Sequence, residues 1–379
     1  MVPRNVRAAA RAAATILSTG SSSGARASRG VPRRPAQRPL LCGYYGEHNL
    51  GDDALLAVLL EQLPAAVRPL VTAHDQALVR SRFAVETVDR RSLATVLRAL
   101  AGCDALVLGG GSLLQDATSF RSLLYYGLLI VSARVRRLPV LLWGQGLGPL
   151  RRRRSRWLVR ALLPLTSACS WRDPASAALA ARLGGSGLVG SDPVWGFPAL
   201  PWRGTGGPIV VCWRPLPRFG PEDWRPYLQA LGQLAEAVDR PVLWLAFHGD
   251  QDGGLLEALD GQGLVGEELR RRSRMERPGD PAEAMRRFQE AGLVVAMRLH
   301  GLILAALAGA PCTALSYDPK VAAAAAAIGC PCHDLALPPP PDLAERWRTA
   351  LEQPPAAERL TAQRQGTEAH RRLLHTWLG

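Results

Sequence analysis

Lysine is all but missing from this chain: of 46 basic residues, Lys320 is the sole lysine and the others are arginine. A bias that general points to Arg-rich coding rather than to a nucleic-acid surface, and no zinc-finger, helix-turn-helix or RNP-type pattern accompanies it. The net charge of +14 still suits an anionic substrate or lipid headgroups, so peripheral contact with an anionic membrane stays open. Long apolar runs are missing too. None approaches the ~20 residues needed to cross a bilayer, so the chain is expected to be soluble or at most peripheral, and the cysteine usage points to a reducing, cytoplasmic compartment with any membrane contact at the inner face. Acidic residues are absent from residues 1–38, which hold eight arginines. That composition resembles a transit peptide and equally fits a basic, disordered tail or an overlong start, so it is set apart from the fold. Cysteine lacks a pattern: seven, scattered and odd in number, they argue against a disulfide framework. Cys42, Cys103, Cys169 and Cys212 lie in apolar stretches and suit small core positions. Cys330-Pro-Cys332 with His333 has no second ligand pair at suitable spacing, so no metal is expected.

What is present is repetition of one plan. The 379 residues, 47% hydrophobic, suffice for two domains, since single cores stop growing near ~250–300 residues. Short apolar runs (Leu40–Gly46, Pro69–Thr72, Ala105–Leu108, Pro139–Trp143, Ala168–Trp171) end in glycine or charge, and a helical stretch such as Ala54–Leu63 or Arg91–Ala101 follows several of them. Residues 195–208 carry Gly, Pro and Trp punctuation typical of a hinge. The alternation then restarts with Ile209–Trp213, Pro241–Phe247, Leu293–Met297 and Pro311–Ser316. Strands alternating with helices predict doubly wound parallel sheets. The expected organisation is an N-terminal Rossmann-like domain over 39–195, a C-terminal one over 208–340, and helices over 341–379, the last crossing back to the first half. The two domains are expected to face a central cleft.

The chemistry-bearing residues sit just past the apolar runs. Arg298-Leu299-His300 follows Leu293–Met297 directly and precedes the helical Leu302–Ala308. A guanidinium and an imidazole thus meet a helix start at the carboxyl edge of a buried strand, where open α/β sheets bind ligands and helix N-termini favour anions. Alone, Arg298 would snorkel and His300 would cap. Arg214, His248 and Lys320 occupy equivalent positions after neighbouring strands, and that company favours an anion pocket. His300 is suited there to proton transfer near neutral pH. Three glycine-bearing loops follow the first-half strands: Gly43 to Asp53, Gly109-Gly110-Gly-Ser-Leu-Leu-Gln-Asp116, and Gly144-Gln145-Gly-Leu-Gly-Pro149. None has dinucleotide or Walker spacing. Asp52 or Asp53 suits an N-cap, and the pair beside Asn49 and His48 suits a polar site that deprotonates a hydroxyl. Arg172-Asp173 reads equally as a local ion pair at a helix start.

These motifs, taken with Tyr317-Asp-Pro-Lys320 and in this order over about 40–330, resemble the polysaccharide pyruvyl transferases, most of all the bacterial CsaB type. The resemblance implies a GT-B-like fold and no cofactor. It implies transfer of pyruvate from phosphoenolpyruvate to two hydroxyls of a sugar in a cell-surface polysaccharide or its lipid-linked precursor, giving a cyclic ketal and phosphate. It makes His300 the acid that protonates the methylene carbon, and gives Arg298, Leu299 and Arg214 the phosphate and carboxylate. Lys320 would add charge, and Asp52 or Asp53 would orient or deprotonate the acceptor. Asn49, Gly110, Gln145 and Arg172 carry over as substrate-binding positions. Family members often have Phe-Gly where this chain has Glu47-His48, and a fourth glycine where it has Ser112. Two other readings remain: a GT-B glycosyltransferase or epimerase using a nucleotide-sugar, and a non-catalytic module binding anionic polysaccharide or lipid-linked glycan.

Overall fold

A computed structural model describes residues 37–117 and 119–379; of the tail expected over 1–38, all but Gln37 and Arg38 lies outside the described residues. The chain forms two sheets in which every pairing is parallel. The first contains β1 (Pro39–Tyr45), β2 (Leu70–Ala73), β3 (Glu86–Asp89), β4 (Ala105–Gly109), β5 (Val140–Gln145), β6 (Ala168–Trp171) and β7 (Leu188–Val189). Their order is β3-β2-β1-β4-β5-β6-β7. The second contains β8 (Ile209–Cys212), β9 (Val242–Leu245), β10 (Ser273–Glu276), β11 (Leu293–Ala296), β12 (Cys312–Ser316) and β13 (Cys332–Asp334), in the order β10-β9-β8-β11-β12-β13.

Central strands are apolar throughout because helices cover both faces of such a sheet; β4, β5, β8 and β11 are buried at every residue. Each sheet has its own core, built around Leu106, Leu108 and Leu142 in one and Val211, Trp213 and Trp244 in the other. Besides the two-residue β7, the strands without a counterpart in the sequence reading are β3, β10 and β13; all four lie at sheet edges. The sequences of β3, β10 and β13, Glu-Thr-Val-Asp, Ser-Arg-Met-Glu and Cys-His-Asp, are half-solvated and lack the apolar run that marks a buried strand. The helix Phe120–Val135 is likewise additional. It buries Leu123, Tyr126, Leu129 and Ile130 while leaving Leu124 and Val135 exposed, so its apolar residues do not form one stripe.

Two helices start about a turn earlier than expected. One runs Leu50–Glu61, which places Asp52 and Asp53 inside its first turn. The other runs Leu299–Leu307, with Arg298 at its N-cap and His300 already helical. An N-terminal helix turn needs no apolar periodicity, so the polar residues there hide the start.

By contacts the chain divides into two compact units. Among the described residues the first comprises 37–47, Leu59–Pro193 and Gly366–Gly379; the second comprises His48–Val58 and Val194–Gln365. The segment His48–Val58, expected within the first domain, therefore belongs with the second sheet. The final helix, Glu368–Leu378, packs on β5, β6 and β7, through Leu373, Leu374 and a fully buried His370.

Candidate functional site

In the second unit the strand order turns at β8 and β11: β8 leads outward to β9 and β10, and β11 leads the other way to β12 and β13. Connections diverging from two adjacent strands leave a crevice at their carboxyl ends. Arg214 follows β8, Arg298, Leu299 and His300 follow β11, and Tyr317 to Lys320 follow β12. The five expected residues of this half thus share one sheet edge. Arg214 is tied to the β12 end: its Nη1 donates to the Tyr317 hydroxyl at 3.1 Å, and its guanidinium lies 5.1 Å from the ring centroid. Asp318 caps the helix Pro319–Ile328 by accepting from the Lys320 amide at 3.0 Å, so half-buried Lys320 stands in that helix's first turn.

Arg298 is held by a residue the sequence did not single out for this role. Its Nε donates to Asp252 Oδ2 at 3.0 Å, and its Nη2 donates to Asp252 Oδ1 and to Gln251 Oε1 at 3.2 Å. The Asp252 side chain is 1% exposed. It also accepts from the backbone amides of Phe247 at 3.1 Å and His248 at 2.8 Å. A bidentate guanidinium–carboxylate pair fixes the plane of the guanidinium as well as its position. Asp252 therefore sets where Arg298 presents its remaining N–H edge, and it offsets part of that charge. Arg298 supplies no side-chain cap to the helix Leu299–Leu307, whose first amides and positive dipole end suit an anion.

The segment His48–Asp53 closes on this edge. Asn49 pairs with His248 in an antiparallel bridge. The Leu50 amide donates to the Phe247 carbonyl at 2.9 Å, and the Gly249 amide to that of His48 at 2.9 Å. Asn49 opens the helix: its Oδ1 accepts from the Gly51 amide at 3.0 Å and its Nδ2 donates to Asp52 Oδ2 at 2.5 Å. Gly51 then lies flat on the catalytic candidate, since a Cβ there would stand 2.0 Å from His300 Nδ1. Asn49, Asp52 and Asp53 are in this way brought to His300 within one unit. Asp53 is 2% exposed, while Asp52 is only half-buried. His48 takes φ 55°, a left-handed conformation in which glycine is at ease and histidine is tolerated. Burial lowers the pKa of His248, and the Arg298 charge lowers it further.

Gly110, Gln145 and Arg172 belong to the first unit. Gly110 has φ +66°, within the loop that Gln145 braces. The fully buried Gln145 amide donates to the carbonyls of Leu108 at 3.2 Å and Gly110 at 2.9 Å, and its Oε1 accepts from Leu113 N at 3.4 Å. Arg172 is buried and donates to Asp192 at 3.1 Å and Ser112 at 3.0 Å. Its neighbour Asp173 caps the helix Pro174–Arg182. Here the polar atoms of Gln145 and Arg172 hold loop to strand. Glu47, also in this unit, is buried between Arg90 and Arg91. Burial raises its pKa, but hydrogen bonds and charge from the two arginines outweigh this and hold the carboxyl below its usual range.

The expected core cysteines Cys42, Cys103, Cys169 and Cys212 are buried, and burial pushes the Cys42 thiol up to about 12. His333 Nε2 lies 3.1 Å from the Tyr227 hydroxyl. Among the described residues no group of three or more His, Cys, Asp or Glu could hold a metal ion, and no helix is long and apolar enough to cross a membrane.

A profile of the polysaccharide pyruvyl transferase family matches residues 49–319. No curated protein sequence matches the chain at a significant level. Among solved structures, UDP-GlcNAc 2-epimerase from Methanocaldococcus jannaschii aligns with a TM-score of 0.60 at 12% identity, covering 89% of this chain and 99% of that one. A putative UDP-N-acetylglucosamine 2-epimerase from Listeria monocytogenes gives 0.59 at 13%, covering 90% and 95%. Anabaena Alr3699/HepE, solved with UDP and glucose, gives 0.56 at 13%, covering 90% and 95%. At such identities the likeness establishes the fold, which is GT-B-like, with two parallel-sheet α/β domains.

Proposed function

Because the chain belongs to the polysaccharide pyruvyl transferase family, with residues 49–319 matched, we propose that it transfers pyruvate from phosphoenolpyruvate to two hydroxyls of one sugar in a polysaccharide or its lipid-linked precursor. The observation that carries this is the placing of Arg214, Arg298, His300 and Lys320 past the carboxyl ends of the adjacent strands β8, β11 and β12, with Gly51 seated against the imidazole. Phosphate and carboxylate bind the uncapped start of the helix Leu299–Leu307, with its Leu299 amide, and the arginine edges. Protonated His300 delivers its proton to the methylene carbon, which becomes the methyl group. The first sugar hydroxyl bonds to the adjacent carbon and loses its proton, with half-buried Asp52 better exposed than Asp53 to receive it. The C–O bond to phosphate breaks, phosphate departs, and the second hydroxyl bonds to the same carbon with loss of its proton. Holding donor and acceptor in one geometry removes much of the entropic barrier.

The competing reading, a nucleotide-sugar glycosyltransferase or epimerase, draws on fold likeness at 12–13% identity. The test offers the purified full chain phosphoenolpyruvate or UDP-sugars with a panel of acceptors. Phosphate release should require an acceptor and fall at least ~10²-fold in His300→Gln, the usual worth of a positioned acid. Turnover of UDP-sugars alone, or a His300→Gln rate equal to wild type, overturns the proposal.

A further inference from the structure

Between Asp116 and Asp173 the chain contains no acidic residue, yet it exposes ten arginines between Arg121 and Arg160. Six of these crowd Arg151–Arg154, Arg156 and Arg160, in or just before the helix Arg153–Leu162 of the first unit. That helix buries Ser155, Val159 and Leu162, an i, i+4, i+7 stripe facing the core. The opposite stripe is Arg153, Arg156, Trp157 and Arg160, and Trp157 is 62% exposed. A tryptophan left mostly in water among arginines buries little of its apolar surface within its own unit. We propose that this face docks the protein on the headgroup layer of an anionic phospholipid membrane.

The neighbouring helix Phe120–Val135 extends the surface. Arg154 lies over the Phe120 ring at 4.2 Å, and a Cβ on Gly127 would sit 3.2 Å from Leu162. The two contacts make the helices run side by side in the same direction. Leu124, one turn past Phe120 and 41% exposed, therefore stands level with Trp157. Apolar side chains ringed by arginine are the composition of an interfacial helix, in which indole enters the acyl boundary while guanidinium groups meet phosphate. Nucleic acid shares the charge preference but gives Leu124 and Trp157 no apolar layer to enter. Asp116 anchors the patch to the glycine loop after β4 by accepting from the Arg151 and Arg152 amides at 2.8 and 2.9 Å. The docked face thus lies beside that loop, where an acceptor carried on a lipid would be presented; the docking itself does not depend on the pyruvyl reading.

The experiment is co-sedimentation of the full chain with vesicles of phosphatidylcholine alone or mixed with phosphatidylglycerol. Wild type should bind the mixed vesicles, and added salt should weaken that binding. The quadruple variant R153Q/R154Q/R156Q/R160Q should bind them roughly a hundredfold more weakly, and Trp157→Ser about tenfold more weakly. Circular dichroism should show both variants folded as wild type, since all five side chains are exposed. Equal binding to both vesicle types overturns the proposal. So does wild-type binding by the two variants, which would assign attachment elsewhere, such as to the basic residues 1–38. Tighter binding to a single-stranded RNA than to mixed vesicles at the same salt, with Trp157→Ser indifferent, would overturn it in favour of nucleic acid.

Discussion

Gly51→Ala adds a single methyl group, yet that methyl would lie 2.0 Å from His300 Nδ1. The helix backbone tolerates alanine, so the imidazole must move instead. An error near 1 Å in a reacting group costs about 10²-fold in rate. We expect turnover to fall by about that factor while the melting temperature changes little, measured by phosphate release and calorimetry. Asp252→Asn should act through Arg298. Removing one partner of a buried ion pair costs about 3–5 kcal/mol, and Arg298 is only 13% exposed. Urea unfolding should show that loss, together with a higher KM for phosphoenolpyruvate. At this scale Arg298 and His300 are legible in the chain because they directly follow a buried apolar run. Asp252 is not, since His248–Asp252 reads as an ordinary polar loop. Its role depends on a short helix, Gly249–Asp252, that turns one carboxylate back toward two amides and a guanidinium.

The helix Glu368–Leu378 is expected to loosen as pH falls. His370 is fully buried, its Nε2 meets the Ser191 carbonyl at 2.7 Å, and its ring meets Trp143 edge-on at 5.9 Å. Burial lowers its pKa, only partly countered by the Ser191 bond. A base whose folded pKa is depressed binds more protons when unfolded, so stability must decline as pH falls through the unfolded value of about 6.5. Amide exchange in Glu368–Leu378 should accelerate between pH 7 and 5 relative to β4, and His370→Phe should flatten that dependence. Most elements are visible in advance because apolar runs and helical stretches alternate. The strands missed have a common cause: β3, β7, β10 and β13 lie at edges, where half the pattern or more faces water, whereas the helix Phe120–Val135 is hidden by its lack of a single apolar stripe.

For the whole molecule, two segments are exchanged against chain order: His48–Val58 sides with the second unit and Gly366–Gly379 with the first. No local pattern in the sequence announces the first exchange, because it rests on backbone bonds between residues about two hundred positions apart, such as Leu50 to Phe247. The return of the last helix was expected by analogy of architecture. A cut at the apparent hinge should therefore not yield two sound domains. Expressed apart, 37–193 and 194–379 should each aggregate, the first for want of the cover from Leu373 and Leu374, the second for want of the Asn49–Asp53 turn. Co-expression should recover soluble complex, read by size-exclusion chromatography.

The exchange also fixes an order of events during synthesis. β5, β6 and β7 leave the ribosome before Val194–Gln365, the bulk of the second unit, is made, yet the helix that covers them is translated after it. Domains otherwise tend to fold in the order they emerge. Here the earlier-born unit matures last, holding the Trp143 flank open while the later one is completed. A chain stopped at residue 365 would thus carry every residue of its second unit and be crippled in its first.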